Sequence, residues 1–78
     1  MTNMLEIGIN TSTRDGRVRL INEMESGIYT GSNVDGEDCI VMLDKGVGMT
    51  IKRLQSNGYF ECVDYNSDGY QECVYYER

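Results

Sequence analysis

The sequence contains no histidine, and this absence removes the commonest general base of enzymes. It also excludes Ser-His-Asp and Cys-His catalytic arrangements and every zinc site that needs an imidazole ligand. No two cysteines have the Cys-x-x-Cys spacing of a zinc or redox pair. Gly46-Val47-Gly48 is too short for a nucleotide-binding loop and is typical of a tight corner. We therefore expect a protein that is not an enzyme.

Long apolar runs are missing as well. No stretch approaches the roughly 20 apolar residues of a membrane-spanning helix. The N-terminal segment MTNMLEIGIN has neither the basic region nor the apolar region of a signal peptide. These features predict a cytoplasmic protein that does not bind membranes. The three cysteines, an odd number, predict free thiols rather than a disulfide framework.

Negative charge is in clear excess, with 13 acidic and 7 basic residues and a net charge of −6. Such a surface repels phosphates, so we expect no direct binding to nucleic acid. Seventy-eight residues make a single domain, 1–78, with one modest core. The apolar fraction of 40% favours a folded domain over a disordered chain.

Alternation of apolar and polar residues indicates β-strands that are buried on one face. Leu5, Ile7 and Ile9 follow this pattern near the N-terminus, whereas Ile21 breaks it further along. Residues 22–25 could form a helical turn instead, but a helix of ten residues would contradict the prediction. Seven strands are predicted, near residues 4–11, 17–24, 28–32, 37–44, 47–54, 59–65 and 70–77.

Four loops of one type separate these segments, and in each the fourth residue is glycine. They lie at residues 13–16, 33–36, 55–58 and 66–69. Glycine there adopts the left-handed conformation that closes a hairpin with a G1 bulge. Six or seven short strands with such turns predict an all-β fold, an antiparallel meander. We expect it to form a small barrel or a strongly curved sheet, because open edges are prone to aggregation.

The last hairpin has a predicted register. If residues 66–69 form a type I turn with a G1 bulge, Asn66 pairs with Tyr70 and Asp64 faces Glu72. Cys62 and Cys73 then point to opposite faces and cannot form a disulfide. One predicted face carries Tyr59, Glu61, Val63, Tyr65, Gln71, Cys73 and Tyr75. The other carries Phe60, Cys62, Asp64, Glu72, Val74 and Tyr76.

Residues 64–72, DYNSDGYQE, contain the pattern Asp-x-Asn-x-Asp-Gly that opens calcium loops. The segment differs from an EF-hand, because Tyr75 replaces the glutamate at the twelfth position. It resembles the calcium hairpins of FG-GAP β-propeller repeats. The resemblance implies calcium ligands from Tyr70, through its carbonyl, and from the side chains of Asp64, Asn66, Asp68 and Glu72. The alternative is a plain hairpin, since two other Asp-Gly turns in the chain lack such ligands.

Tyrosine and acidic residues are concentrated near the C-terminus. Residues 54–77 contain five acidic residues, no basic residue and five of the six tyrosines. Tyrosine is enriched at protein interfaces because it combines a large contact area with few rotatable bonds. The alternative is that these rings cover a thin core. The predicted partner-binding residues are Tyr59, Glu61, Tyr65, Glu72, Tyr75 and Glu77.

These features predict a non-enzymatic acidic protein that docks its C-terminal hairpin on a basic, nucleic-acid-binding protein and could inhibit it. In size, charge and lack of catalytic residues, the chain resembles small phage-encoded anti-CRISPR and anti-restriction proteins, some of which imitate DNA. That resemblance implies a place in the host cytoplasm. Two alternatives are a calcium-binding β-hairpin module and an assembly protein that pairs through strand edges. A monomer and a homodimer are both compatible with the sequence.

Overall fold

Five strands and one helix make up the computed structural model, which describes residues 10–33 and 36–78. The strands form one open antiparallel sheet in sequence order. The predicted meander is therefore confirmed, whereas six or seven strands and a closed barrel are wrong for the described residues. The strand predicted at 4–11 lies outside them, apart from two residues that are not in a strand. The elements are α1 (Arg14–Glu23), β1 (Gly27–Ser32), β2 (Asp38–Asp44), β3 (Gly48–Leu54), β4 (Phe60–Asn66) and β5 (Gln71–Glu77).

Helix α1 occupies the segment for which we predicted a strand at 17–24 and a hairpin loop at 13–16. Thr13 is its N-cap, and the Thr13 hydroxyl accepts a hydrogen bond from the Gly16 N–H at 3.1 Å. Its buried residues are Gly16, Leu20 and Ile21, a spacing that follows a helix rather than a strand. The ten residues of α1 make about three turns, so the expectation that the chain contains no ten-residue helix is wrong.

The hydrophobic core lies between α1 and one face of the sheet. Leu20 and Ile21 are each only 1% exposed. The strand pairing places Val41 beside Ile51, and Ile51 beside Val63, on the face that α1 covers, here called the helix face. The opposite face is called the far face. A ten-residue helix is compatible with the meander because it packs against the sheet instead of interrupting it. The helix shares its core with Tyr29, Cys39, Val41, Leu43, Met49 and Ile51.

The turn at residues 66–69 packs against the helix. Gly69 is buried with φ +79°, and a Cβ atom there would lie 2.8 Å from Val18 Cγ2 and 3.1 Å from the Arg14 carbonyl oxygen. This turn therefore approaches α1 too closely for any residue but glycine.

Arg17 joins three segments at this contact. Its Nε donates to the Gly69 carbonyl oxygen at 2.7 Å, and its Nη1 donates to the Thr11 carbonyl oxygen at 3.0 Å. Its guanidinium lies 4.4 Å from the centre of the Tyr65 ring. Arg17 thus holds the helix, the loop before it and the β4–β5 hairpin in one arrangement.

The predicted register of the last hairpin is correct at the turn and wrong beyond it. The Asn66 N–H donates to the Tyr70 carbonyl, and the Gly69 N–H donates to the Asn66 carbonyl, each at 2.9 Å. Tyr65 then pairs with Gln71, but Asp64 pairs with Cys73 instead of Glu72, because a bulge inserts one extra residue.

The bulge reverses the faces of the residues that follow it in β5, because successive strand residues point to opposite sides. Val74 now pairs with Val63, and Tyr76 with Glu61, on the helix face. Cys73 and Tyr75 lie on the far face, so the predicted assignment of these four side chains is wrong. Cys62 and Cys73 therefore share a face, contrary to the prediction.

Candidate functional site

An open groove of about 730 Å³ lies on the far face, at the end of the sheet near the β2–β3 turn. Its apolar lining includes Ile28, Met42 and Val47. Hydroxyl and carboxyl side chains also line the groove, and the described lining residues include neither lysine nor arginine. The polar lining residues include Ser26, Asp44, Thr50, Asp64, Glu72 and Tyr75.

The strand register builds this groove from residues that are distant in sequence. Ile28 pairs with Met42, Met42 with Thr50, and Thr50 with Asp64, so one row of side chains crosses four strands. Glu72 reaches the groove from the bulge in β5. The pairing of the strands, and not a local sequence motif, thus places apolar side chains such as Met42 close to the Asp64 carboxylate.

Within residues 10–33 and 36–78, no basic side chain forms an ion pair with a groove carboxylate. The four ion pairs of the described residues are Arg19–Glu23, Lys52–Glu77, Arg53–Glu37 and Arg53–Glu61, and none involves Asp44, Asp64 or Glu72. Thr50 Oγ1 donates to Asp64 Oδ1 at 2.6 Å, which fixes the orientation of this carboxylate. Burial, and then the charge of Asp64, raises the pKa of Tyr75, so its hydroxyl stays protonated.

Most basic side chains form contacts outside the groove, with aromatic rings, backbone carbonyls or other carboxylates. Arg14 and Arg78 lie over the rings of Tyr70 and Tyr59, at 4.6 Å and 5.9 Å. Arg17 bonds to backbone carbonyls, and three further cations form the ion pairs. Six of the seven basic residues are therefore engaged in contacts within the chain. Three carboxylates and no lysine or arginine line the groove, a distribution of charge that favours cations.

The six residues predicted to bind a partner do not form one surface. Glu72, Tyr75 and Tyr65 line the groove, although the Tyr65 ring is stacked against Arg17. Glu61 lies on the helix face, where its Oε2 accepts from Arg53 Nη2 at 2.9 Å. The other two are engaged near the opposite end of β5, Tyr59 with Arg78 and Glu77 with Lys52.

Sequence reasoning missed Asp44 and assigned Asp64 to a calcium site. No local pattern marks Asp44, which ends β2 and enters the groove only through the sheet register. The feature that places Asp64 in the groove is its position on β4 directly opposite Thr50 of β3. That pairing becomes visible only once the register of β3 and β4 is known.

Several oxygens of the predicted calcium loop already accept hydrogen bonds. Asn66 Oδ1 accepts from the N–H groups of Asp68 and Tyr70, at 3.0 and 3.1 Å, and the Tyr70 carbonyl accepts from Asn66. The described residues contain no group of three acidic or cysteine side chains placed to hold a metal ion. The predicted opposition of Asp64 and Glu72 is wrong. Calcium binding by residues 64–72 itself stays a prediction.

The three cysteines are free and differ in exposure: Cys39 and Cys62 are buried, whereas Cys73 is exposed on β5. Burial raises the pKa of the Cys39 and Cys62 thiols, so the reactive thiolate is disfavoured at both.

We expect one thiol, Cys73, to react rapidly with Ellman's reagent in the folded protein, and the other two to react only after unfolding. Mass spectrometry of the partly labelled protein identifies the fast site, and a Cys73→Ser variant serves as the control. Rapid modification of Cys39 or Cys62 in the native state, or a native disulfide, is incompatible with this structure.

The described residues thus define a five-stranded antiparallel meander with a helix on one face and an acidic groove on the other. Helix α1, the one helix of the described residues, is too short to cross a membrane. No protein-family model, no curated protein and no solved structure matches the chain.

Proposed function

We propose that the protein is a non-enzymatic acidic binding protein that takes a basic, partly apolar segment of another protein into its groove. The observation that supports this proposal is the set of three carboxylates, Asp44, Asp64 and Glu72, around an apolar lining with no basic residue among them. The partner is a nucleic-acid-binding protein, and the function is inhibition.

The chemistry of the groove suits lysine and arginine. Their aliphatic stems pack against apolar side chains such as Ile28 and Met42, while their charged ends reach the carboxylates at the rim. The net charge of −6 steers a basic partner towards the protein. A surface that normally binds phosphates offers the same cations, so occupation by this protein competes with nucleic acid.

A peptide of alternating lysine and leucine is the probe, and isothermal titration calorimetry measures its affinity. The variant Asp44→Asn with Glu72→Gln removes two charges at the groove. The matched control, Asp15→Asn with Glu23→Gln, removes two from helix α1. Both leave a net charge of −4, since two of the six excess charges are lost. We expect the groove variant to bind about tenfold more weakly and the control to change little.

Three further results follow from the same proposal. Added salt weakens the binding, because the attraction between charges is screened. A peptide with glutamate in place of lysine does not bind, and neither does double-stranded DNA. Equal losses in the two variants would show a response to net charge alone and would contradict a specific groove.

A further inference from the structure

Lys52 is a basic residue on the far face, two positions beyond the groove residue Thr50 along β3. It pairs with Cys62, so its two diagonal neighbours on β4 are Phe60 and Asp64. Diagonal neighbours in an antiparallel sheet lie about 7–8 Å apart, which is within reach of a long side chain. The Lys52 ammonium group can therefore extend in either of two directions, towards the Asp64 carboxylate in the groove or away from it.

In the structure the Lys52 side chain extends away from the groove. Its Nζ lies 5.0 Å from the centre of the Phe60 ring and forms an ion pair with Glu77, which pairs with Phe60 across β4 and β5. The ring and the carboxylate both favour a cation at this position. The hydrogen bond to Glu77 raises the pKa of Lys52, so its ammonium group stays charged. The Lys52 side chain is 22% exposed, so it lies along the sheet and does not project into water.

Asp64, on the other diagonal, has a different environment. Thr50 Oγ1 donates to Asp64 Oδ1 at 2.6 Å, and no ion pair of the described residues includes Asp64. In the proposed function, the charge of Asp64 helps to hold the cation of a bound segment. An ammonium group of the chain itself would compete with that cation for the same carboxylate.

We propose, on the basis of the groove function above, that Glu77 is a positioning residue that keeps Lys52 out of the groove and leaves Asp64 to a basic ligand. Glu77 is not one of the residues that line the groove. Its effect on binding therefore passes through Lys52. When the Glu77 charge is removed, Asp64 becomes the carboxylate that Lys52 reaches along a diagonal of the sheet.

Calorimetric titration with the lysine–leucine peptide tests this role. We expect Glu77→Gln to weaken binding about fivefold, because Lys52 then pairs with Asp64. The matched control is Glu61→Gln, which frees Arg53 on the helix face, where it does not reach the groove. Each variant loses one of the six excess charges and has a net charge of −5. The control should change binding by less than about twofold.

A second substitution separates this role from a merely structural one. Lys52→Met in the Glu77→Gln background removes the competing cation and keeps an unbranched apolar chain beside Phe60. The net charge returns to −6, because one acidic and one basic residue are lost. We expect peptide affinity to return to within about twofold of the wild-type value. A double variant that binds as weakly as Glu77→Gln alone would overturn the proposal.

The position of Lys52 has a readout that needs no peptide. In the wild-type protein, nuclear Overhauser effects should join the Lys52 Hε protons to the Phe60 ring protons. In Glu77→Gln they should join the Lys52 Hε protons to the Thr50 methyl group. Lys52 protons that stay on the Phe60 ring in this variant would refute the positioning role. A wild-type protein that does not bind the peptide would instead contradict the groove function, while this experiment still decides where Lys52 lies.

Discussion

Replacing Leu20 with alanine is expected to lower the free energy of unfolding by about 2–5 kcal/mol, the range for a leucine deleted from a packed core. Leu20 is 1% exposed and joins α1 to the strands of the helix face. A domain of this size has only about 5–15 kcal/mol of stability. Urea denaturation followed by circular dichroism measures the loss.

Neighbouring alanine variants distinguish the helix from the predicted strand. In the helix, Leu20 and Ile21 are both buried, so Ile21→Ala should also cost about 2–4 kcal/mol. Arg19→Ala is the control, because the exposed Arg19–Glu23 pair contributes only about 0.3–0.5 kcal/mol. In a strand Leu20 and Val18 would share the buried face. A costly Val18→Ala together with a neutral Ile21→Ala would therefore contradict the helix.

Replacing Gly69 with alanine is expected to cost about 2–4 kcal/mol, from two separate causes. The positive φ of +79° strains any residue with a Cβ atom, and that atom would lie 2.8 Å from Val18 Cγ2. Relief of the contact requires the turn at 66–69 to move away from α1. The hydrogen bond from Arg17 to the Gly69 carbonyl would then lengthen.

Gly58 provides a matched control for this variant. It has φ +85° in an equivalent turn, but a Cβ atom there meets nothing within 4 Å. Gly58→Ala should therefore cost only the backbone strain, about 1–2 kcal/mol. The difference between the two variants measures the packing of the turn against α1. Equal losses would mean that this packing contributes nothing to stability.

The five strands could be predicted to within one residue at each end because their signals are local. Period-2 alternation of Val47, Met49 and Ile51 marks β3, and β2 contains the continuous apolar run from Cys39 to Leu43. The turns at 33–36, 55–58 and 66–69 close through the expected hydrogen bond from the glycine N–H. These are properties of neighbouring residues. They do not depend on where the rest of the chain lies.

The helix could not be predicted in the same way. Thr13 to Gly16 has the composition of the hairpin turns, because a side chain that caps a turn also caps a helix. What favours the helix is tertiary packing: the burial of Leu20 and Ile21 against the sheet and the contact of Arg17 with Gly69, 52 residues away in sequence. Ile21 was a local sign of the helix, because an apolar residue next to Leu20 breaks the alternation of 17–24. In the helix both residues are buried.

The groove depends on register, which the sequence specifies weakly. The bulge opposite Asp64 has no glycine to mark it, yet it moves Tyr75 to the face that holds Ile28 and Met42. Asp44 and Asp64 come from different strands and have no shared motif. The acidic character could be predicted from composition, whereas the set of residues that lines the groove could not.

The most direct test of the groove is an amide NMR titration of the protein with the lysine–leucine peptide at about 150 mM salt, where exposed charges are screened beyond about 8 Å. We expect shift changes concentrated at Ile28, Met42, Thr50, Asp64 and Tyr75, and their loss in the variant Asp44→Asn with Glu72→Gln. Shift changes spread over all acidic surfaces, or centred on helix α1, would contradict this expectation.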